Sequence, residues 1–281
     1  IASSLLVNGS TGGIMAAIRA AVPHGSGIVI SRNCHKSVYQ AAESFDLEVR
    51  YTYPAYIKEY GLFSDMDIDS ISDVLRQARQ EISAAALVVT SPTYEGVILD
   101  IRAIAEVAHK YNMALIVDEA HGAHLPFVNA ELSAINNGAD IVIQSLHKTL
   151  PAMTQTAIIH LTNEGLNRSV NLRKRLADTI PQFQTTSPSY VLMASIDECF
   201  NMCRSFADEG GFDKYHKLLL KMREDFRGLR NMKLLCVEEI GAFGYDEGKL
   251  VFVTAGTDID GFELMKRLRD LKLECEMAAA G

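Results

Sequence analysis

The sequence predicts an α/β fold: three layers, with helices on both faces of a mostly parallel, mixed sheet, joined to part of a smaller α+β unit. Three observations carry that prediction. Short, continuously apolar runs such as Ala86-Leu87-Val88-Val89-Thr90 and Ile141-Val142-Ile143 suit strands buried on both faces of a parallel sheet. Stretches with apolar residues at helical spacing separate these runs. The alternation of strand and helix then implies right-handed crossovers between neighbouring strands.

Taken in order, Leu5-Leu6-Val7 forms the first short strand, and Ile14, Met15, Ala17, Ile18 and Ala21 line a helix after the turn Asn8-Gly9-Ser10-Thr11-Gly12-Gly13. Gly27-Ile28-Val29-Ile30-Ser31 is the next strand, and Asn33-Cys34-His35-Lys36-Ser37 opens a helix reaching about Ser44. Leu47-Glu48-Val49-Arg50-Tyr51 alternates as a strand should, and a loop with Pro54 and Gly61 follows. Ile68, Ile71, Val74, Leu75 and Ala78 mark an amphipathic helix over residues 67–80. After the strand ending at Thr90 comes the loop Ser91-Pro92-Thr93-Tyr94-Glu95-Gly96, and Ile101, Ile104, Ala105, Ala108 and Tyr111 form the next helix. That helix leads to the strand Met113-Ala114-Leu115-Ile116-Val117, which ends in Asp118-Glu119-Ala120-His121. Leu132 and Ile135 mark a short helix stopped by Asn137-Gly138, before the strand ending in Gln144-Ser145-Leu146-His147-Lys148.

Thr156-Ala157-Ile158-Ile159-His160-Leu161 begins about eight residues after Lys148, too few for the dozen or so that a parallel crossover needs, so it should run antiparallel to its predecessor. Residues 162–180 read as polar helix, residues 185–190 as a hydroxyl-rich loop, and residues 191–208 and 212–229 as two longer helices. Leu234-Leu235-Cys236-Val237 and Leu250-Val251-Phe252-Val253 are strands of the smaller unit, residues 261–271 a helix, and Leu273-Glu274-Cys275 the start of another strand.

The chain has 281 residues, 48% of them hydrophobic and 22% charged, enough for one large core or two domains. No apolar run approaches the roughly 18 residues of a membrane span. A net charge of −8 disfavours nucleic acid and anionic membranes as partners. Five scattered cysteines without a CxxC pair imply reduced thiols and a cytoplasmic protein. The start at Ile-Ala-Ser-Ser has no signal-peptide pattern, and the ending Ala-Ala-Ala-Gly follows an unfinished strand, so a fragment of a longer protein is expected.

In a doubly wound sheet, ligands sit beyond the carboxyl ends of the strands. Ser10, His35, Thr93, Asp118 and Lys148 all fall at such ends. A lysine directly after a buried strand, with Pro151 three residues on, is badly placed for a surface charge. Burial would disfavour its ammonium form, and a neutral amine can attack a carbonyl and hold it as a Schiff base. A carboxylate at one strand end and an amine at another are what a pyridoxal-phosphate site needs. The turn around Ser10 and Thr11 can hold a phosphate on helix-terminal amides, although the same residues would serve an ordinary helix cap. His35 likewise suits a helix start as well as an imidazole stacked on a cofactor ring.

Other motif readings fail on their context. Asp118-Glu119-Ala120-His121 spells a helicase box, but no Gly-Lys-Ser/Thr phosphate loop accompanies it and the net charge is negative. His121 and His124 lack the spacing of two metal ligands on one helix face, and Gly122 interrupts them, so no metal is expected.

Asn8-Gly9-Ser10-Thr11-Gly12-Gly13, Asn33-Cys34-His35-Lys36-Ser37, Ser91-Pro92-Thr93-Tyr94-Glu95-Gly96, residues 117–124, residues 145–151 and Thr186-Ser187-Pro188-Ser189-Tyr190 together resemble the major domain of the bacterial ornithine/lysine/arginine decarboxylases. These are pyridoxal 5'-phosphate enzymes of fold type I, relatives of the aspartate aminotransferases. The resemblance covers most of residues 5–275 and implies a cofactor-binding large domain over residues 1–185. Residues 186–281 would then hold connecting helices and a smaller unit, truncated with the chain ends.

The resemblance also implies roles. Lys148 would form the Schiff base, Asp118 would pair with the pyridine nitrogen, and His35 would stack on the ring. Ser10, Thr11, Gly12, Ser145 and His147 would form the phosphate site. Ala120 would pack on the ring, His121 would lie near its hydroxyl, and Ser187 would reach the phosphate of a neighbouring subunit in a homodimer or higher oligomer. The implied reaction is decarboxylation of arginine, lysine or ornithine. Another fold type I enzyme, an aminotransferase or aldolase-type lyase, and a catalytically silent binding subunit are the alternatives.

Overall fold

The computed structural model describes residues 1–279. The chain opens with β1 (Ala2–Leu6), α1 (Gly9–Ala21), β2 (Ile28–Ser31), α2 (Lys36–Ser44) and β3 (Val49–Thr52). The stretch expected as a loop holds a small antiparallel hairpin, β4 (Tyr56–Ile57) and β5 (Leu62–Phe63). Then come α3 (Ile68–Glu81), β6 (Ala86–Thr90), β7 (Val97–Ile98), α4 (Ile101–Lys110) and β8 (Ala114–Asp118). A short α5 (Leu125–Val128) and two 3-10 turns, Ala130–Leu132 and Ala134–Asn136, replace the single short helix expected around Leu132.

The second half runs through β9 (Ile141–Ser145), α6 (Leu146–Thr149), β10 (Ala157–Leu161), α7 (Asn163–Arg168), α8 (Val170–Thr179), α9 (Tyr190–Asp208) and α10 (Gly211–Phe226). It ends with β11 (Lys233–Leu234), α11 (Val237–Ile240), β12 (Gly244–Tyr245), β13 (Phe252–Val253) and α12 (Gly261–Asp270). Two expected strands need correction. Val237 opens α11, because the Glu239 carboxylate accepts the Cys236 N–H at 3.1 Å and turns the chain into a helix. Residues 273–275 form no strand.

The main sheet has seven strands in the order β1-β10-β9-β8-β6-β2-β3. The pairs from β9 across to β3 are parallel. β10 runs against both its neighbours, as its short connection predicts. β1 therefore points the same way as the parallel set, and the carboxyl ends of β1, β2, β6, β8 and β9 share one end of the sheet.

The continuous apolar runs fill both faces by simple alternation. Ile28, Ile30, Val88, Ile116, Ile141 and Ile143 pack with Ile14, Ile18, Val38 and Leu176 of α1, α2 and α8. Val29, Leu87, Val89, Leu115, Val117 and Val142 pack with Ile71, Leu75, Ile104 and Ala108 of α3 and α4. Leu235, Ile240 and Tyr245 join the second cluster, and β12 pairs with β7, so the C-terminal unit is built against the α3/α4 side. Among the described residues, no helix is long and apolar enough to cross a membrane.

Candidate active site

Each candidate residue at the open end of the sheet is placed by a strand end or the helical turn after it. Asp118 is the last residue of β8, opposite Thr90 of β6. It is 3% exposed, and its Oδ1 accepts the Ala120 N–H at 3.2 Å. Burial pushes its pKa up to about 6, against the pull of the Lys148 ammonium and the Ala120 amide. Ala120 is buried beside it.

Lys148 rides on α6, the short turn that continues β9. The sequence predicted a buried lysine, but Lys148 is exposed in the single chain. The reason is geometric: α6 lifts the residue past the last paired residue of β9, onto the open end of the sheet. Its Nζ nevertheless lies 3.0 Å from His121 Nε2. Partial burial lowers the amine's pKa; Asp118 opposes that, Lys249 adds to it, and Glu276 opposes it.

His121 is 8% exposed, and burial, with the Lys148 and Lys249 charges behind it, brings its pKa down to about 3. The ring is therefore neutral; when Lys148 is charged, Nε2 accepts from its ammonium and the ring proton sits on Nδ1. That Nδ1 is buried and has no partner among the described residues. An orphaned buried donor is costly, so the site is shaped for an acceptor supplied from outside the chain. Tyr94 meets the His121 ring edge-on, with centroids 5.2 Å apart at 85°.

The other side of the cluster is the start of α1. The expected cap by Ser10 or Thr11 does not occur. Asn8 is the N-cap residue, without a side-chain cap bond, and Ser10 and Thr11 lie in the first turn. The Asn8 amide instead donates to Phe183 O at 3.2 Å, and Gly9 N–H donates to Gln155 O at 2.9 Å. The first turn is thus held in place by distant segments while its side chains stay available. Thr11 is exposed. Buried Ser145 donates its hydroxyl to Ser10 Oγ at 3.0 Å, joining the ends of β9 and β1. His147 donates from Nδ1 to Thr156 O at 3.0 Å, which fixes the ring's orientation.

Gly12 and Gly13 have packing reasons of their own. A Cβ on Gly12 would stand 2.9 Å from Phe183 O, and one on Gly13 would stand 2.6 Å from Leu6 Cδ1. Their lack of side chains lets α1 approach β1 and the Phe183 backbone, and so sets where the helix terminus points.

His35 is the N-cap of α2, accepting the Ser37 N–H at Nδ1 over 3.2 Å. It is exposed, and burial of part of its ring, then Lys148 and Lys36, lower its pKa. It both caps a helix and feels the charge of Lys148. Ser187 is not brought to the cluster within this chain. It is exposed in the loop before α9, and its N–H donates to Thr185 Oγ1 at 3.1 Å.

Several residues near the site had no signal in the local sequence. Thr90, at the end of β6, has a buried hydroxyl without a partner among the described residues. Asp246 lies 3.2 Å from His124, and Lys249 stands over the Tyr94 ring. Both sit on a turn marked only by Asp246-Glu247-Gly248, a common turn signal that says nothing about where the turn docks.

The start of α1 has no side-chain cap bond and carries the Ser10 and Thr11 hydroxyls, with Ser145 bonded to Ser10. The buried Asp118 carboxylate acts on the Lys148 amine, which meets His121, and His121 Nδ1 has no partner among the described residues. These features, the reactive amine included, fit pyridoxal 5'-phosphate.

The chain is similar to known proteins. The protein is 36% identical over 233 residues to the uncharacterized protein YaaO of Bacillus subtilis (strain 168), covering 82% of this chain and 46% of that protein. It is 31% identical over 279 residues to the arginine decarboxylase of the same strain, covering 97% of this chain and 55% of the enzyme. The chain thus spans about half the length of these relatives. Among solved structures, the constitutive lysine decarboxylase of E. coli superimposes with a TM-score of 0.77 at 18% identity, over 99% of this chain and 45% of that one. The family described as "Orn/Lys/Arg decarboxylase, major domain" matches residues 2–262. The chain belongs to that decarboxylase family.

Proposed function

We propose that the protein carries out pyridoxal-phosphate-dependent decarboxylation of a basic amino acid, arginine, lysine or ornithine, to the corresponding amine. The observation that carries this reading is the Lys148 amine at the end of β9, bound to His121 and within the field of the buried Asp118 carboxylate, in a chain of this family. When bound, pyridoxal phosphate supplies an electron sink that stabilises the carbanion left by departing CO2.

The chain's own residues do the rest. Lys148 Nζ would be the nucleophile that holds the cofactor. Asp118, deep in the sheet, would keep a proton at the ring nitrogen. His35 and Ala120 would pack against the ring, and His121 Nδ1 would donate to its hydroxyl. Ser10, Thr11, Gly12, Ser145 and His147 would hold the phosphate with the start of α1. Orienting the Cα–carboxylate bond across the ring plane, and excluding water from it, selects decarboxylation over competing bond breakages. Ser187, exposed here, would reach the phosphate across the interface of a cytoplasmic homodimer or larger assembly.

The test uses the full-length protein. An absorbance band near about 420 nm, abolished by borohydride or by Lys148→Ala, is expected on addition of pyridoxal phosphate. Release of labelled CO2 from carboxyl-labelled arginine, lysine or ornithine is expected with it. A keto acid with no CO2 would sink the decarboxylase reading.

A further inference from the structure

Residues 246–249 form a turn built to deliver a charge. Asp246 N–H donates to Gly96 O at 2.8 Å, Lys249 N–H donates to Asp246 O at 2.9 Å, and Gly248 N–H donates to Asp246 Oδ1 at 2.9 Å. The Lys249 carbonyl accepts from Arg223 Nη2 at 2.8 Å and from the Tyr245 hydroxyl at 3.2 Å. Gly96 lies so close that a Cβ there would stand 2.8 Å from Lys249 Cβ. The base of the Lys249 side chain is therefore clamped from both units of the chain. Of the two acids of the turn, Glu247 pairs with His216 at 3.2 Å; Asp246 pairs with His124 at 3.2 Å, and its charge also acts on His121 and Lys249.

The Lys249 ammonium lies 5.5 Å from the Tyr94 ring centroid. Tyr94 meets His121 edge-on at 5.2 Å, and His121 holds Lys148 Nζ at 3.0 Å. Two ammonium groups thus flank one pair of neutral rings. We propose that Lys249 is a positioning residue for the reacting amine: held across Tyr94 and His121, it opposes a second positive charge on Lys148 and so keeps more of that amine uncharged and nucleophilic. A neighbouring cation activates a lysine nucleophile in this way. The inference rests on Lys148 being the reacting amine. Asp118 and Glu276 favour the charged form of Lys148, while Lys249 and burial oppose it. His121 and His35, which also feel the Lys148 charge, both have pKa values lowered by burial first and then by Lys148.

The test follows acylation of Lys148 by a small amine-reactive reagent as a function of pH, read by peptide mass spectrometry on full-length protein freed of cofactor. Lys249→Met should move the labelling profile to higher pH and slow labelling near neutrality by about threefold, the effect of a shift of roughly half a pH unit. Lys249→Arg should keep the wild-type profile. Should the Met variant lose its near-ultraviolet circular dichroism, Lys249→Gln takes its place. A neutral variant that folds and labels like wild type overturns the proposal, as does an Arg variant that behaves like the neutral one. Because no cofactor is present, this readout stands apart from the decarboxylase reading, which fails instead on the absorbance band and the CO2.

Discussion

Replacing Glu119 by Gln should flatten the pH dependence of stability. Glu119 is 1% exposed, directly after Asp118. Its Oε1 accepts the Ala134 N–H at 2.7 Å, and its Oε2 accepts the Ser133 hydroxyl at 3.0 Å and the Gln144 amide at 2.5 Å. Gln144 Oε1 in turn meets His160 Nε2 at 3.2 Å, and His160 Nδ1 lies 2.8 Å from Ser3 Oγ. Burial pushes the Glu119 pKa from its ordinary 4.5 up to about 7, even though the Ala134, Gln144 and Ser133 donors pull it down.

The folded value lies above the unfolded one, so folding favours the protonated form. The contribution to stability is complete below about pH 4.5 and is lost as pH rises through about 7. Between about pH 5 and about pH 8 the loss amounts to roughly 2–3 kcal/mol, or roughly 5–10 °C in Tm for a chain of this size. Glu119→Gln does not titrate and should gain on the wild type by that amount over this range. Asp118 and His160 titrate in both proteins, so the difference between the two curves reports residue 119 together with its coupling through Gln144. The assay is denaturant or thermal unfolding of cofactor-free protein at a series of pH values. Wild-type and variant curves that run parallel across the series would refute the reasoning.

Three further outcomes test the placement of the site. Ser145→Ala removes the hydroxyl that joins β9 to Ser10, and should weaken pyridoxal-phosphate affinity about tenfold in equilibrium titration, the worth of one good hydrogen bond. Gly12→Ala puts a methyl group against the Phe183 carbonyl and should cost about 1–3 kcal/mol in thermal unfolding, because backbone cannot move aside as a side chain can. Asp246→Ala leaves the His124 ring and the Gly248 amide without their acceptor, and should cost about 2–4 kcal/mol by the same measurement.

Much of the fold was legible because the relevant patterns are local. The runs ending at Thr90, Asp118 and Ser145 became the central strands, with each face of the alternation buried as expected. The short link after Lys148 implied the reversed β10, which pairs antiparallel with β9. The pairs β4/β5 and β7/β12 were not legible. Strands of two residues have no period to read, and β7 and β12 meet across more than a hundred residues of chain. Of the two uses the sequence allows for the Ser10 turn, a phosphate site or an ordinary cap by Ser10 or Thr11, the cap does not form: the local chain path makes Asn8 the N-cap residue and leaves Ser10 facing Ser145.

By itself, the sequence determined which residues stand at or just beyond strand ends: Ser10, His35, Thr93, Asp118 and Lys148. Strand length and polarity switches are written in neighbouring residues, and all parallel strands end on the same side. Only the tertiary structure decided what those residues touch. The His121 bond to Lys148, the exposure of Lys148 on α6, the network around Glu119, and the arrival of Asp246 and Lys249 beside Tyr94 and His124 depend on how distant segments pack. Contacts of that kind follow from shape and burial across the whole core, and no local spacing of residue types encodes them.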